Sequence, residues 1–222
     1  MIALVLEASS SDPSLGIWRD NHLVAQRTWT LARRQPSPLF DLAQSALAEA
    51  ETTLADLTHL VVGRGPGNYS GLRIALCAAQ GLGLPGGIPL YTVSSPEALA
   101  FAQLNAHPDI DSVGITGDAR RGCIWAGAFQ RSPDGPPEQT LDWQLIPYGD
   151  APTRLTAAAS RWVSPDADRL DHLAESLGAP RWQGLAVPTA QDVGLLAADR
   201  LQRGVPSDSP TPYYLHPAVA EK

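Results

Sequence analysis

The stretch that most constrains this chain runs from Leu60 to Leu84: Leu-Val-Val-Gly-Arg-Gly-Pro-Gly-Asn-Tyr-Ser-Gly-Leu-Arg-Ile-Ala-Leu-Cys-Ala-Ala-Gln-Gly-Leu-Gly-Leu. Its opening run, Leu60 to Val62, is apolar and rich in β-branched residues and predicts a buried strand. Gly63, Gly65, Pro66 and Gly67 end that strand, because glycine supplies turn conformations and proline fixes its own φ. Ser70 is placed to cap a helix over Leu72–Leu84. The unit is therefore strand, glycine-rich loop, helix. Such a loop can carry backbone N–H groups to an anion at a helix N-terminus; it can equally be a tight turn and nothing more.

The helix is unusual. Leu72, Ala75, Leu76, Ala79 and Leu82 form one apolar stripe at helical spacing, and Ile74, Cys77, Ala78, Gly81 and Leu84 cover much of the remaining circumference. Only Arg73 and Gln80 are polar. A helix apolar nearly all round is expected to be covered on both sides. Its alanines and glycines keep it thin, so a neighbouring helix can approach closely.

Three better-known loops do not match. The phosphate loop of P-loop NTPases needs Gly-Lys-Ser/Thr, and the only lysine in the chain is Lys222. A dinucleotide fingerprint needs glycine at its sixth position, which counted from Gly65 is Ser70. A nucleophile elbow needs glycine two residues before the serine, where Asn68 stands.

Read in order, the chain predicts a strand at Ile2–Leu6, and a hairpin of Leu15–Trp18 and Leu23–Trp29 about Asp20-Asn21. A helix follows from Leu39 to Ala50, with Ser37 as cap and Pro38 in its first turn. After the central unit come a strand at Ile88–Val93 and a helix capped at Ser95-Pro96. From Val113 the pattern restarts: a strand to Thr116, a turn over Gly117–Gly122, and a strand at Cys123–Phe129. A turn at Pro133-Asp134-Gly135 and a strand at Trp143–Ile146 follow. Asp150 to Pro188 carries no readable pattern, and Thr189 is the expected cap of a last helix, Ala190–Arg203.

Composition excludes several function classes. The net charge of −7 argues against autonomous nucleic-acid binding, which needs a basic surface. The two cysteines, Cys77 and Cys123, imply no disulfide framework. With no lysine before the last residue, Schiff-base chemistry is excluded. The five histidines, His22, His59, His107, His172 and His216, show no metal-ligand spacing, and no metal is expected. Neither a signal peptide nor a membrane-spanning stretch is evident, which points to a cytoplasmic protein.

Gly-Arg-Gly-Pro-Gly-Asn-Tyr-Ser-Gly-Leu-Arg-Ile, residues 63–74, resembles the Gly-Arg-Gly-Pro-Gly-Ser-Phe-Thr-Gly-Leu-Arg-Ile signature of the bacterial TsaB (YeaZ) family. The resemblance extends through Ile88–Ala100, returns at Asp118–Gly122, and fits the acidic end of the first strand and Pro212–Leu215. It covers the first half well and residues 134–188 hardly at all. It implies an α/β fold of two RNase H-like lobes of the actin-like ATPase superfold, the second abbreviated. The order three strands, helix, strand, helix, strand, helix agrees with that at the level of fold analogy. The expected lobes are residues 1–106 with 189–222, and 107–188.

The resemblance further implies a non-catalytic dimerisation and scaffold subunit of the complex that makes threonylcarbamoyladenosine beside the tRNA anticodon. Its expected partners are a TsaD-type catalytic paralogue, a TsaE-type ATPase, a second copy of itself, and tRNA only within the complex. The metal-binding histidine pair of TsaD falls on the helix matching Pro38–Ala50, which has no histidine here. Glu7, Ser9 and Ser10 stand where related ATPases carry an Asp and a glycine-rich turn for metal and phosphate. They are expected to be a degenerate nucleotide turn, with Glu7 facing solvent or capping the turn. No cofactor is expected, a nucleotide being conceivable only at a shared interface.

The signature loop comprises Gly63, Arg64, Gly65, Pro66, Gly67, Asn68, Tyr69, Ser70 and Gly71, with Arg73 on the helix. The expected partner surface draws on Leu42 and Ala46 of the first helix and on Ile74, Cys77, Ala78 and Gly81 of the second. Asp118, Arg120 and Arg121 read either as an acid/base site or as ion-pairing interface residues, and Arg64, Arg73, Arg120 and Arg121 as candidates for a tRNA-facing groove. The rival function is a stand-alone ATPase of the actin-like fold, or a peptidase-like enzyme.

Overall fold

The first sheet grows from the apolar strand β1 (Ile2–Glu7), which lies at its centre between β2 (Ser14–Arg19) and β4 (His59–Gly63). A hairpin joins β2 to β3 (His22–Thr28), and its two turn residues Asp20 and Asn21 both have positive φ, 50° and 68°. That is the geometry of a tight hairpin turn, which Asp and Asn tolerate better than most residues. With β5 (Leu90–Val93) the order is β3-β2-β1-β4-β5, the first three antiparallel and the last two parallel to β1. The structure, a computed structural model, describes residues 1–30, 37–133, 135–179 and 181–215. Asp134 of the expected turn, His216 and the end of the expected first lobe lie outside the described residues.

Alternation along the strands decides which face takes which helix. Leu4 and Leu6 of β1, Leu15 and Ile17 of β2 and Leu60 and Val62 of β4 meet α1 (Leu39–Glu49) and α2 (Tyr69–Gly83) in one buried cluster. Each such leucine, fully buried, contributes about 2 kcal/mol. Against this sheet also packs α6 (Ala190–Gln202), where Gly194 lies so close to the Trp18 ring that a Cβ would overlap it. Thr189 caps α6 in a capping box: its Oγ1 accepts from Asp192 N at 3.3 Å, and Asp192 Oδ2 accepts from Thr189 N at 2.9 Å.

The second sheet repeats the plan. Strands β6 (Ser112–Arg120), β7 (Cys123–Gln130) and β8 (Glu138–Pro147) form an antiparallel meander, and β9 (Trp162–Ser164) and β10 (Trp182–Leu185) run parallel to β6. The order β10-β9-β6-β7-β8 is that of the first sheet with each strand replaced by its counterpart. Ile124, Ala126, Ile146 and Trp162 pack there against α4 (Ala151–Ala158) and α5 (Asp171–Leu177). All five strands are kept; the abbreviation lies in the parallel strands, of three and four residues, and in short helices. This lobe also places the stretch 150–188, which carried no readable pattern. The chain divides into one unit of Met1–Leu99 with Pro188–Tyr213 and another of Ala100–Val187 with 214–215, the cut falling within α3 (Ser95–Ala106).

Three helix starts differ from the sequence reading. Pro38, not Ser37, is the N-cap of α1, with no side-chain cap bond. Asn68, not Ser70, caps α2: its Oδ1 accepts from Gly71 N at 3.0 Å. Ser94 Oγ accepts from Glu97 N at 3.4 Å at the start of α3, while Ser95 is turned to another task described below. In each case a serine with the right residue type loses to the neighbour whose backbone is at the helix boundary. Strand β6 also runs through the expected turn, which shortens to Arg121-Gly122.

Candidate functional site

The glycine-rich loop leaves β4 at Gly63 and enters α2 at Tyr69. Three of its amides are committed within the lobe. Arg64 N donates to Val93 O at 2.9 Å, Gly65 N to Ser95 Oγ at 3.0 Å, and Asn68 N to Ser9 O at 2.6 Å. Pro66 has none to offer, and the Gly65–Pro66 bond is cis. Gly65 has φ +86°, a conformation that glycine adopts without strain.

The other glycines serve close approach. A Cβ on Gly67 would overlap the carbonyl oxygen of Ser9, one on Gly71 that of Ala8, and one on Gly63 the Glu7 carboxyl. The loop is therefore seated on the turn that follows β1, and that turn fills the space the glycines create. A phosphate cradle requires free amides around an open cavity. The Arg64, Gly65 and Asn68 amides do not meet that requirement, so these residues do not fit a nucleotide phosphate.

Glu7, expected at the solvent or capping a turn, is 1% exposed. Its Oε1 accepts from Ser9 N at 2.6 Å, and its Oε2 has no hydrogen-bond partner among the described residues. Burial pushes this carboxyl from its ordinary 4.5 up to about 7. The Ser9 and Ser95 hydroxyls and the Ser9 N–H pull it back only partly, and the Asp192 carboxylate of α6 adds to the rise. Ser9 and Ser10 are buried as well, and Ser10 Oγ accepts from Asp12 N at 3.2 Å. Ser95 and Asp192 belong to this environment and escaped the sequence reading. They lie 88 and 185 positions after Glu7, and no spacing rule joins them.

The outward side of α2 carries the exposed part of the signature. Tyr69 is 55% exposed, Ile74 42% and Leu84, just past the helix, 83%. Cys77 is exposed, and a Cβ on Gly81 would meet nothing within 4 Å. Ile74, Cys77, Gly81 and Leu84, at spacings of three and four, form a second stripe along the helix. Arg73 flanks it, donating from Nη1 to Tyr69 Oη at 2.7 Å with its guanidinium 5.3 Å from the ring centre.

Two expected surface residues are corrected. Ala46, 0% exposed, and Ala78, at 7%, belong to the core cluster on the inward sides of α1 and α2. Leu42 is only partly buried against that cluster. Phe40 of α1, which was not among the expected surface residues, is exposed.

Asp118 is neither an outward interface residue nor part of a loose turn. Its side chain is 6% exposed; Oδ1 accepts from Arg120 N at 2.8 Å and from Tyr148 Oη at 3.1 Å. Its own N–H donates to Asp166 Oδ2 at 3.0 Å. Arg120, paired with Asp118 at 3.0 Å, and Arg121 are exposed at the hairpin end, both with positive φ. Arg64 instead donates from Nε to Thr211 O at 3.1 Å and stacks on Tyr213. Among the described residues no three His, Cys, Asp or Glu side chains are grouped to hold a metal, and no helix is long and apolar enough to cross a membrane.

Residues 31–134 match the family model described as TsaD: tRNA N6-adenosine threonylcarbamoyltransferase. An uncharacterized protein of Mycobacterium tuberculosis is 35% identical over 56% of this chain and 59% of its own length. The tRNA threonylcarbamoyladenosine biosynthesis protein TsaB of Bacillus subtilis is 28% identical over 68% of this chain and 64% of its own. That of Escherichia coli is 27% identical over 61% and 58%. The chain thus spans about three-fifths of the length of the curated relatives it matches. In fold it is similar to YeaZ from Pseudomonas aeruginosa, with a TM-score of 0.76 at 23% identity over 96% of this chain and 99% of that one. With the signature loop on β4–α2 and two lobes of one topology, the chain is similar in sequence to the TsaB proteins of Bacillus subtilis and Escherichia coli and in fold to YeaZ.

Proposed function

We propose that this chain is a non-catalytic subunit in the biosynthesis of tRNA threonylcarbamoyladenosine, working in the cytoplasm. It binds a TsaD-type transferase through the outward face of α2, activates it, and helps to recruit a TsaE-type ATPase. The same face pairs two copies of the chain when the transferase is absent. It uses no cofactor of its own, and tRNA is met only within the complex.

The observation that carries this reading is the stripe Ile74, Cys77, Gly81 and Leu84, apolar, thin and exposed on a helix whose other side is core. An exposed apolar patch of this kind favours association, and a stripe that includes a glycine admits a second helix closely. The commitment of the loop amides to Val93, Ser95 and Ser9 supports an architectural role for the signature in place of a nucleotide-binding one. The names of the Bacillus subtilis and Escherichia coli relatives supply the pathway.

The test is reconstitution with a cognate TsaD-type protein, a TsaE-type protein, tRNA, ATP and threonylcarbamoyl-adenylate, reading the modified nucleoside. Omitting this chain is expected to abolish turnover. Gly81→Arg places a charge where the two helices meet; burying it unpaired costs several kcal/mol and weakens association by orders of magnitude. The expected variant is a folded monomer that neither captures the transferase nor supports modification. A Gly81→Arg protein that still dimerises and still captures the transferase moves the interface elsewhere, with the Arg120-Arg121 hairpin next. ATP turnover by the purified chain alone, lost on Glu7→Gln, would overturn the non-catalytic reading.

A further inference from the structure

Strand β5 ends the first sheet, and an edge strand presents unpaired N–H and C=O groups that invite another chain to add to it. Here residues 205–213 cover those of Thr92. At Thr92 the N–H donates to Ser207 Oγ at 2.9 Å, and the C=O accepts from Asp208 N at 3.1 Å. The Thr92 hydroxyl, fully buried, donates to Asp208 O at 2.8 Å. One residue earlier, the Tyr91 hydroxyl donates to Val205 O at 2.7 Å.

The covering segment is a strap and not a sixth strand, because Pro206, Pro210 and Pro212 lack the N–H a ladder needs. It therefore closes the edge without creating a new one. Arg200 of α6 holds its middle, bonded to both oxygens of Glu97 at 2.6 and 2.7 Å and to Asp208 at 3.2 Å. The far end is held by the glycine-rich loop. Tyr213 N donates to Arg64 O at 2.9 Å, Arg64 Nε donates to Thr211 O at 3.1 Å, and the guanidinium lies 5.3 Å from the centre of the Tyr213 ring.

We infer that Arg64 is the latch of this strap: a positioning residue that ties the signature loop to the cover of the β5 edge. Its Nε and its flat face are spent on Thr211 and Tyr213, which sets it apart from an arginine held ready for phosphate or RNA. Lysine cannot replace it, since the latch needs a planar group that donates sideways while stacking. Movement of the loop and release of the edge are thereby coupled.

The experiment is amide hydrogen exchange by NMR on the full-length wild type and on Arg64→Ala, Arg64→Lys and Tyr213→Leu. Losing one hydrogen bond and one cation–π contact is expected to speed exchange at Asp208, Tyr213 and Thr92 roughly tenfold, with Val5 in β1 unchanged. Tyr213→Leu lies outside the loop, so it decides the matter should Arg64→Ala loosen the whole lobe. Unchanged protection at Asp208 and Thr92 in Tyr213→Leu overturns the latch. Full protection in Arg64→Lys also overturns it, because charge alone would then suffice.

Discussion

Removing the charge from Glu7 should stabilise the protein, and only above a defined pH. The carboxyl is 1% exposed, its Oε2 is unpartnered among the described residues, and burial lifts it from 4.5 to about 7. In the unfolded chain it ionises near 4.5; in the folded protein it keeps its proton until about 7. Between those values the folded state binds the extra proton, so stability falls as pH rises. Its contribution is fully present below about 4.5 and is lost by the time the pH has passed about 7. At about 1.4 kcal/mol per pH unit the loss is about 3 kcal/mol.

Glu7→Gln retains an oxygen to accept from Ser9 N and places an NH2 where the unpartnered oxygen stood, beside the Ser95 hydroxyl. Urea melts of both proteins at several pH values between 4.5 and 8.5 measure the difference. The glutamine variant is expected to match the wild type near pH 4.5 and to exceed it by about 3 kcal/mol at pH 8. The other groups facing Glu7, Asp192 above all, titrate in both proteins and largely cancel in the comparison. A difference that does not change with pH refutes the reasoning, since it would mean that Glu7 ionises alike in both states.

Two further outcomes test the loop, both read by thermal or urea melts. Gly67→Ala sets a Cβ against the Ser9 carbonyl and is expected to cost about 2 kcal/mol or more, whereas Gly81→Ala, with open space around it in the single chain and a helical backbone, should stabilise the monomer by about 0.5–1 kcal/mol when melted at concentrations too low for pairing. Asn68→Ala removes the cap of α2 and should cost about 1 kcal/mol, while Ser70→Ala should cost little because its hydroxyl does not cap the helix.

The elements themselves were legible because local physics decides them. Continuous apolar runs with β-branched residues mark β1 and β4, the glycine and proline run ends β4, and Thr189 announces α6. So too was the excess of apolar surface on α2, since a helix cannot turn both Leu76 and Ile74 into one core. Which residues lie inward was not legible: alanine is neutral evidence on a helix, and only packing put Ala46 and Ala78 within the cluster while leaving Phe40 and Leu84 outside. The capping serines at 37, 70 and 95 had the right chemistry for their task, but a cap is set by where the backbone turns, and tertiary contacts moved that point. The same limit hid the site. Glu7 reads as an ordinary strand-end carboxylate until Gly63, Ser95 and Asp192 close around it, and Arg64 reads as a free cation until the strap arrives from 147 residues away. Desolvation and hydrogen-bond partnership belong to neighbours in space, so only the folded chain could determine them.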